Sequence, residues 1–309
     1  MTKAKHITIG LIQSKISDDV QQNVAHTANM VVQAVKKGAK IICLQELFQT
    51  PYFPQWEKMN KNTFAETLEG VIISEMQKIA KHLKITLVVP FYQKIGKKYF
   101  NTAAVISKTG KIMGEYHKVH IPHDPGFYEK EYFEYGQQGY KVFEVDGVKF
   151  AVLICYDQWF PEAAREVRLQ GAEIIFYPTA IGNIVGYKEQ GDWHNAWETV
   201  MRGHAIANSL YVTAINRTGQ EGKMKFWGQS FIADPFGKVI KSSSPNKEEV
   251  LVQKLDLNLN TFYSEGWGFM RNRRPETYKT LTKKLLIKKG KQLQKVAHYV
   301  DQIRILEGK

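Results

Sequence analysis

"VKFAVLICYDQWFPEAAREVRLQG" (148–171) decides the fold. Seven of its first eight residues are apolar, a run of strand length that would be buried on both faces of a sheet. The Pro-Glu pair at 161–162 opens a stretch of helical period over 160–170, since proline is pre-set for the first turn of a helix. Gly171 then stands where a C-terminal cap belongs. Strand, tight turn and helix together are the unit from which α/β sheets are wound. Cys155 falls at the carboxyl end of that strand, the edge at which open α/β proteins bind ligands. Taken alone, a strand cysteine is a small buried hydrophobe.

The same unit repeats outward. Apolar runs at 7–13, 40–46, 85–93, 101–107 and 111–119 precede it, and runs at 173–180, 210–216, 229–234 and 249–256 follow. Helical periods fall at 21–37, 72–83 and 192–208; in the first, Val24, Ala28, Val31, Val32 and Val35 form one apolar stripe. "SKTGK" (107–111) and "DPFGK" (234–238) place a glycine in tight turns between strands. These crossovers and hairpins predict an α/β sheet system with helices outside. No low-complexity linker divides the chain, so we expect one catalytic domain over 1–278 and a basic helical extension over 279–309. In that extension Leu293, Val296, Ala297, Val300 and Ile303 recur at helical spacing, with Gly290 as an interruption.

Composition narrows the function classes. A 43% apolar and 24% charged chain can bury a large core. No apolar run reaches membrane-spanning length, and the N-terminus lacks the features of a secretory signal, so a cytosolic protein is expected. Two cysteines outside any CxxC pair argue against a disulfide framework and structural zinc. The net charge of +13 invites a nucleic-acid reading. However, from Lys279 onward nine lysines and arginines meet only Asp301 and Glu307, so over half the excess belongs to the tail. That tail is read as a helix docking on its own body or a neighbouring subunit, with RNA or an anionic membrane as the alternative.

Two other apolar runs end on charge. "IICLQELF" stops at Glu46 and "GEYHKVHIP" near Lys118. A carboxylate there is costly to bury without a partner, and a lysine supplies one. Such a pair could be purely structural. With Cys155 it becomes a thiol, a base to take its proton, and a cation to stabilise the anions that form. His117, His120 and His123 bracket Lys118, but a strand running into "IPHDPG" would not hold them on one face, so no metal is expected. Cys43 reads as core, and His194 and His204 as packing or pocket-shaping residues.

Three regions, "LQELFQTPYFPQ", "HKVHIPHDPGFYEKEYF" and "CYDQWFPEAAREVRLQGAEIIFYPTAIG", resemble the signatures of the nitrilase, or carbon–nitrogen hydrolase, superfamily. "RGHAIANSLYVTAINRTG", "FWGQSFIADPFGKVI" and "WGFMRNRRPETY" continue the likeness, which spans residues 6–278. The resemblance implies an α-β-β-α sandwich pairing into α-β-β-α:α-β-β-α dimers. It also implies a catalytic set of Glu46, Lys118 and Cys155, with Glu129 as a second glutamate that orients Lys118 and contacts substrate. Tyr156 stands where tryptophan is common, and its backbone N–H would serve the oxyanion. No cofactor is implied. "ELFQTPYFPQ" and "DQWFPEAAR" most resemble members that hydrolyse N-carbamoylputrescine, which implies a carbamoylated amine as substrate.

A cationic substrate needs local carboxylates in a basic protein, and Asp157, Glu189 and Asp192 are the candidates, with Trp159 beside them. The alternative within the superfamily is a β-ureidopropionase or N-carbamoyl amino acid amidase, which would need Arg202 or Arg217 for a carboxylate. An alternative of another class is an RNA-binding or scaffold protein on an inactive hydrolase fold.

Overall fold

Period-2 alternation along the strands builds two layers of core at once. In the computed structural model, which describes residues 5–57, 62–187 and 191–284, the first sheet has six strands. In spatial order they are Glu249–Asp256, His6–Gln13, Ile41–Cys43, Thr86–Ile95, Lys98–Ile106 and Ile112–His117. Its Ile9, Leu11, Ile41, Cys43 and Val88 join a core shared with the second sheet. Their neighbours Ile12, Ile42, Leu87 and Val89 point the other way, onto helices α1 (Val20–Lys36) and α2 (Val71–Leu83). Each large aliphatic side chain so buried contributes about 1.5–3 kcal/mol.

The second sheet orders Val239–Ser242, Phe231–Ala233, Tyr211–Ile215, Ile174–Pro178, Val148–Val152 and Val142–Val145. Helices α3 (Pro161–Leu169) and α4 (Trp193–Asn208) cover its outer face through Ala163, Ala164, Val167, Met201 and Ala205. The layers are therefore α-β-β-α, as the family resemblance implies, and the helices lie outside the sheets, as the pattern of runs predicts. At the centre of each sheet lie three parallel strands, flanked by antiparallel ones. Both predicted hairpin turns close as expected: Gly110 and Gly237 have φ of +82° and +80°, and their N–H groups reach Ser107 and Asp234.

The differences cluster near the strand ends. The run at 40–46 is a strand only through Cys43, and the run at 148–155 only through Val152, after which Cys155–Trp159 form a 3-10 turn. Helix α5 (Asn258–Trp267) is not expected from the sequence. Its Phe262 and Trp267 lie exposed, so no apolar stripe marks it. A three-stranded sheet of Thr218–Glu221, Met224–Trp227 and Gly182–Ile184 is also unexpected, because its segments are short and rich in Gly, Asn and Gln. Of the predicted extension, Lys279–Thr282 form one 3-10 turn; its apolar stripe lies outside the described residues.

Candidate active site

Two central parallel strands and one antiparallel edge strand end near one another, and the polar residues that follow them meet. Glu46 follows Ile41–Cys43, Lys118 follows Ile112–His117, and Cys155 follows Val148–Val152 on the facing sheet. The Lys118 ammonium donates to Glu46 Oε1 at 2.9 Å and to Glu129 Oε2 at 2.6 Å, and all three side chains are buried. An ammonium has three N–H groups, so one remains for another acceptor. Asn101 Nδ2 also donates to Glu46 Oε1, at 2.7 Å, while the Asn101 carbonyl accepts the Lys118 N–H. The Tyr52 hydroxyl donates to Glu129 Oε1 at 2.8 Å. Glu46 Oε2 has no hydrogen-bond partner among the described residues.

The electrostatics follow from burial and proximity. Burial lowers the Lys118 pKa, but the Glu129 and Glu46 charges overcome it and hold the ammonium well above its ordinary value. Burial pushes the Glu129 carboxyl up to about 7 against the pull of Lys118, with Glu46 adding to the rise. The Cys155 thiol is pushed up by burial and then by Glu46, with Lys118 and a backbone hydrogen bond from Ala180 opposing. A neutral thiol thus rests beside a carboxylate, and a thiolate formed there would be stabilised by the Lys118 charge.

Backbone strain marks two of these positions. Cys155 has φ of +43° and Leu47, next to Glu46, has +49°, a region that costs a non-glycine residue about 1–3 kcal/mol. The Cys155 turn is held by Asp157, whose N–H donates to the Ile154 carbonyl and whose Oδ2 accepts the Ile154 N–H at 2.9 Å. A sharp strand-to-turn corner carrying a buried thiol, with a carboxylate and an ammonium converging on it, is suited to nucleophilic acyl transfer.

Residues 8–263 match the family model described as Carbon-nitrogen hydrolase. The chain belongs to the carbon–nitrogen hydrolase family. It is 40% identical to an N-carbamoylputrescine amidase of Arabidopsis thaliana over 289 residues, covering 90% of this chain and 96% of that protein. It is 38% identical to a citrullinase of Francisella tularensis, covering 90% and 99%. A solved carbon–nitrogen hydrolase from Helicobacter pylori G27 superposes with a TM-score of 0.87 at 37% identity, covering 91% and 100%.

The remaining site candidates of this hydrolase are placed differently from the sequence expectation. Asp157 is fully buried and accepts four hydrogen bonds, from Tyr116 Oη (2.7 Å), Ile154 N (2.9 Å), His120 N (2.9 Å) and His120 Nδ1 (2.7 Å). Its carboxylate is occupied by the turn that carries Cys155, which corrects its assignment to a substrate ammonium. Asp157→Ala is expected to cost about 3–5 kcal/mol of stability, because a buried charge-assisted network loses its acceptor; an unfolding midpoint equal to wild type would refute this role. Asp192 is exposed and caps α4 by accepting the Asn195 N–H on Oδ1. Glu189 lies outside the described residues. Trp159 is half-buried against the second sheet's hydrophobic cluster, and the Tyr156 ring packs edge-on to Phe160.

The histidines spread as expected for a strand entering a loop. His117 stacks on Phe100, His120 stacks on Phe160 while binding Asp157, and His123 meets the Tyr128 ring. His204 holds the Gln158 carbonyl at 2.8 Å, and His194 packs on Trp197 and Trp227. Cys43 is in the core between the sheets. Arg202 is bound to Glu198 and the Gly237 carbonyl, and Arg217 is buried in a loop clamp. Tyr52 and Asn101 escape the sequence reading. Asn101 left a signal: it opens the run 101–107, a polar residue at a buried strand position.

Proposed function

We propose that this hydrolase cleaves N-carbamoylputrescine to putrescine, ammonia and carbon dioxide. The observation that carries the chemistry is the buried Glu46–Lys118–Glu129 cluster beside Cys155; the similarity to plant N-carbamoylputrescine amidases supports the substrate. Glu46 takes the Cys155 proton as the sulfur attacks the carbamoyl carbon. The oxyanion is received by the third Lys118 N–H and the Tyr156 backbone N–H, each donor being worth about 3–4 kcal/mol in the transition state. Glu46 returns its proton to the departing nitrogen, leaving a thioester-like carbamoyl-cysteine. Glu46 then deprotonates a water that attacks this carbon; the second collapse expels the sulfur, which takes that proton back as the thiol, and releases a carbamate that breaks down to carbon dioxide and the remaining amine. Glu129 aligns Lys118 and is itself aligned by Tyr52.

A carboxylate-bearing substrate would need a free cation, and both arginines nominated for that purpose are engaged elsewhere. Ammonia release should therefore favour N-carbamoylputrescine over N-carbamoyl-β-alanine, L-citrulline and a simple aliphatic amide. Preference for either carboxylate-bearing compound would overturn the polyamine assignment.

Tyr52→Phe is expected to move the acidic limb of kcat/KM to higher pH. The Tyr52 hydroxyl donates to Glu129 and favours its ionised form. Without it the carboxyl titrates above its present value of about 7, so the ionised partner of Lys118 appears later as pH rises. An unmoved limb would show that Glu129 does not govern it.

The same reading places the enzyme in the cytosol, with the catalytic body ending near residue 278, and makes it a homodimer. Helices α3 and α4 border a groove of about 940 Å³, lined by Leu169, Ile206, Phe269, Tyr278 and Leu281 among others, that a second copy would cover. Sedimentation at twice the chain mass is the expected result. No helix among the described residues is long and apolar enough to cross a membrane.

A further inference from the structure

Between the end of strand Ile41–Cys43 and Phe53, the chain has no sheet or helix to hold it, yet this stretch carries Glu46 and Tyr52. Its backbone polar groups converge on one buried ion pair. Arg217 Nη2 donates to the carbonyls of Glu46 (2.6 Å) and Leu47 (3.0 Å). Arg217 Nη1 donates to the Thr50 carbonyl (3.2 Å) and to both oxygens of Glu221 (2.9 Å each). Glu221 Oε2 in turn accepts the Tyr52 N–H at 2.7 Å. The guanidinium lies 5.3 Å from the centroid of the Phe226 ring, and its side chain is fully buried. We infer that Arg217 and Glu221 are positioning residues, which fix where Glu46 and Tyr52 stand relative to Lys118 and Glu129.

The arrangement is more specific than stability requires. A buried ion pair is often replaceable by apolar residues at no loss of stability, and one pair would not need to reach three carbonyls and an N–H of a single loop. The fork of a guanidinium can bridge adjacent carbonyls, which an ammonium cannot. The loop also passes through the left-handed conformation at Leu47, which persists only where the surroundings determine it. Arg217 therefore acts on the base through its backbone, and Glu221 on the second glutamate through Tyr52. Arg217 directly precedes and Glu221 ends the first strand of the Thr218–Glu221 and Met224–Trp227 hairpin, whose second strand also pairs with Gly182–Ile184 just beyond Ala180. The hairpin thus touches the base's loop on one side and the segment flanking the thiol on the other.

This inference rests on the proposed roles of Glu46 and Cys155, and the test keeps the two apart by reading thiol chemistry as well as turnover. Wild type, Arg217→Lys and the double variant Arg217→Met/Glu221→Met are compared in urea unfolding, in steady-state hydrolysis of N-carbamoylputrescine, and in the pH dependence of Cys155 alkylation by iodoacetamide. The double variant removes both charges and is expected to unfold at a urea concentration at or above that of wild type. Its kcat is nonetheless expected to fall about 10²-fold, the scale of an ångström's misplacement, with KM changed less than threefold and the alkylation profile shifted to lower pH, because the Glu46 charge that holds the thiol up has moved away. Arg217→Lys is expected to show the same kinetic pattern, and it decides the matter if the double variant does not fold. Wild-type kcat per alkylatable thiol, or an unmoved alkylation profile, in a folded variant overturns the inference. A wild-type enzyme that is alkylated readily but does not turn over N-carbamoylputrescine would fault the substrate assignment and leave the alkylation comparison to judge the clamp.

Discussion

Serine in place of Cys155 is expected to lower kcat/KM by about 10⁴–10⁶-fold, the range seen when a nucleophile that works with its base is removed. The loss does not come from misfolding, since the side chains differ by one atom and the turn is held by Asp157 hydrogen bonds rather than by the sulfur. It comes from acidity. The buried thiol already titrates above its ordinary value, and a hydroxyl in the same place would be harder still for Glu46 to deprotonate. The check is twofold: turnover, and the mass of the enzyme quenched during turnover. Wild type should carry an adduct on the peptide containing Cys155, of carbamoyl mass where the amine departs first and of aminobutylcarbamoyl mass where ammonia does, and the serine variant none. Activity within tenfold of wild type would remove Cys155 from the mechanism.

Lys118→Met is expected to abolish activity and to destabilise the fold in a pH-dependent way. The methionine fills the space but leaves Glu46 and Glu129 buried without the cation between them. Removing one partner of a buried ion pair costs about 3–5 kcal/mol, and losing the oxyanion donor costs about 10²–10³-fold in kcat on its own. The sign with pH follows from Glu129. Its folded pKa is already raised to about 7, and Lys118 is what restrains it; without the lysine it rises further. A carboxyl raised on folding contributes stability at low pH and loses it as pH climbs through the folded value. The variant's deficit in urea unfolding should therefore be small near pH 5 and large near pH 8. A deficit equal at both would mean that the two carboxylates are not ionised together in the native site.

The parts of this hydrolase that show in its sequence are those where local pattern and burial conflict. Glu46, Lys118 and Cys155 each end an apolar run, and a charge in that position needs a partner from another strand. The long strands and helices α1 to α4 show for the same reason, since one face of each is continuous with a core. Glu129 has no such pattern; it follows a loop and enters only through the family resemblance. Tyr52, Asn101 and Glu221 are invisible for a different reason. Their partners lie 77, 55 and 169 residues away, so no spacing announces them. Asp157 misleads because an acidic residue beside a nucleophile looks available to substrate, whereas its oxygens are spent on Tyr116, His120 and the turn.

The strand Glu249–Asp256 pairs with His6–Gln13 along eight consecutive positions, so the end of the hydrolase body closes the sheet that its beginning opened. Such pairing across so long a stretch of sequence makes the first sheet slow to complete, because the loop entropy must be met before the contact rewards it. Gln13 on that first strand also receives the hydroxyls of Ser230 and Ser243 from the second sheet's end of the chain. During synthesis, therefore, the base, the lysine and the thiol all leave the ribosome before the strand that closes their scaffold. Nascent chains carry a complete set of reactive groups but no assembled site, and activity should emerge only with the last strand, as a late and concerted event in refolding.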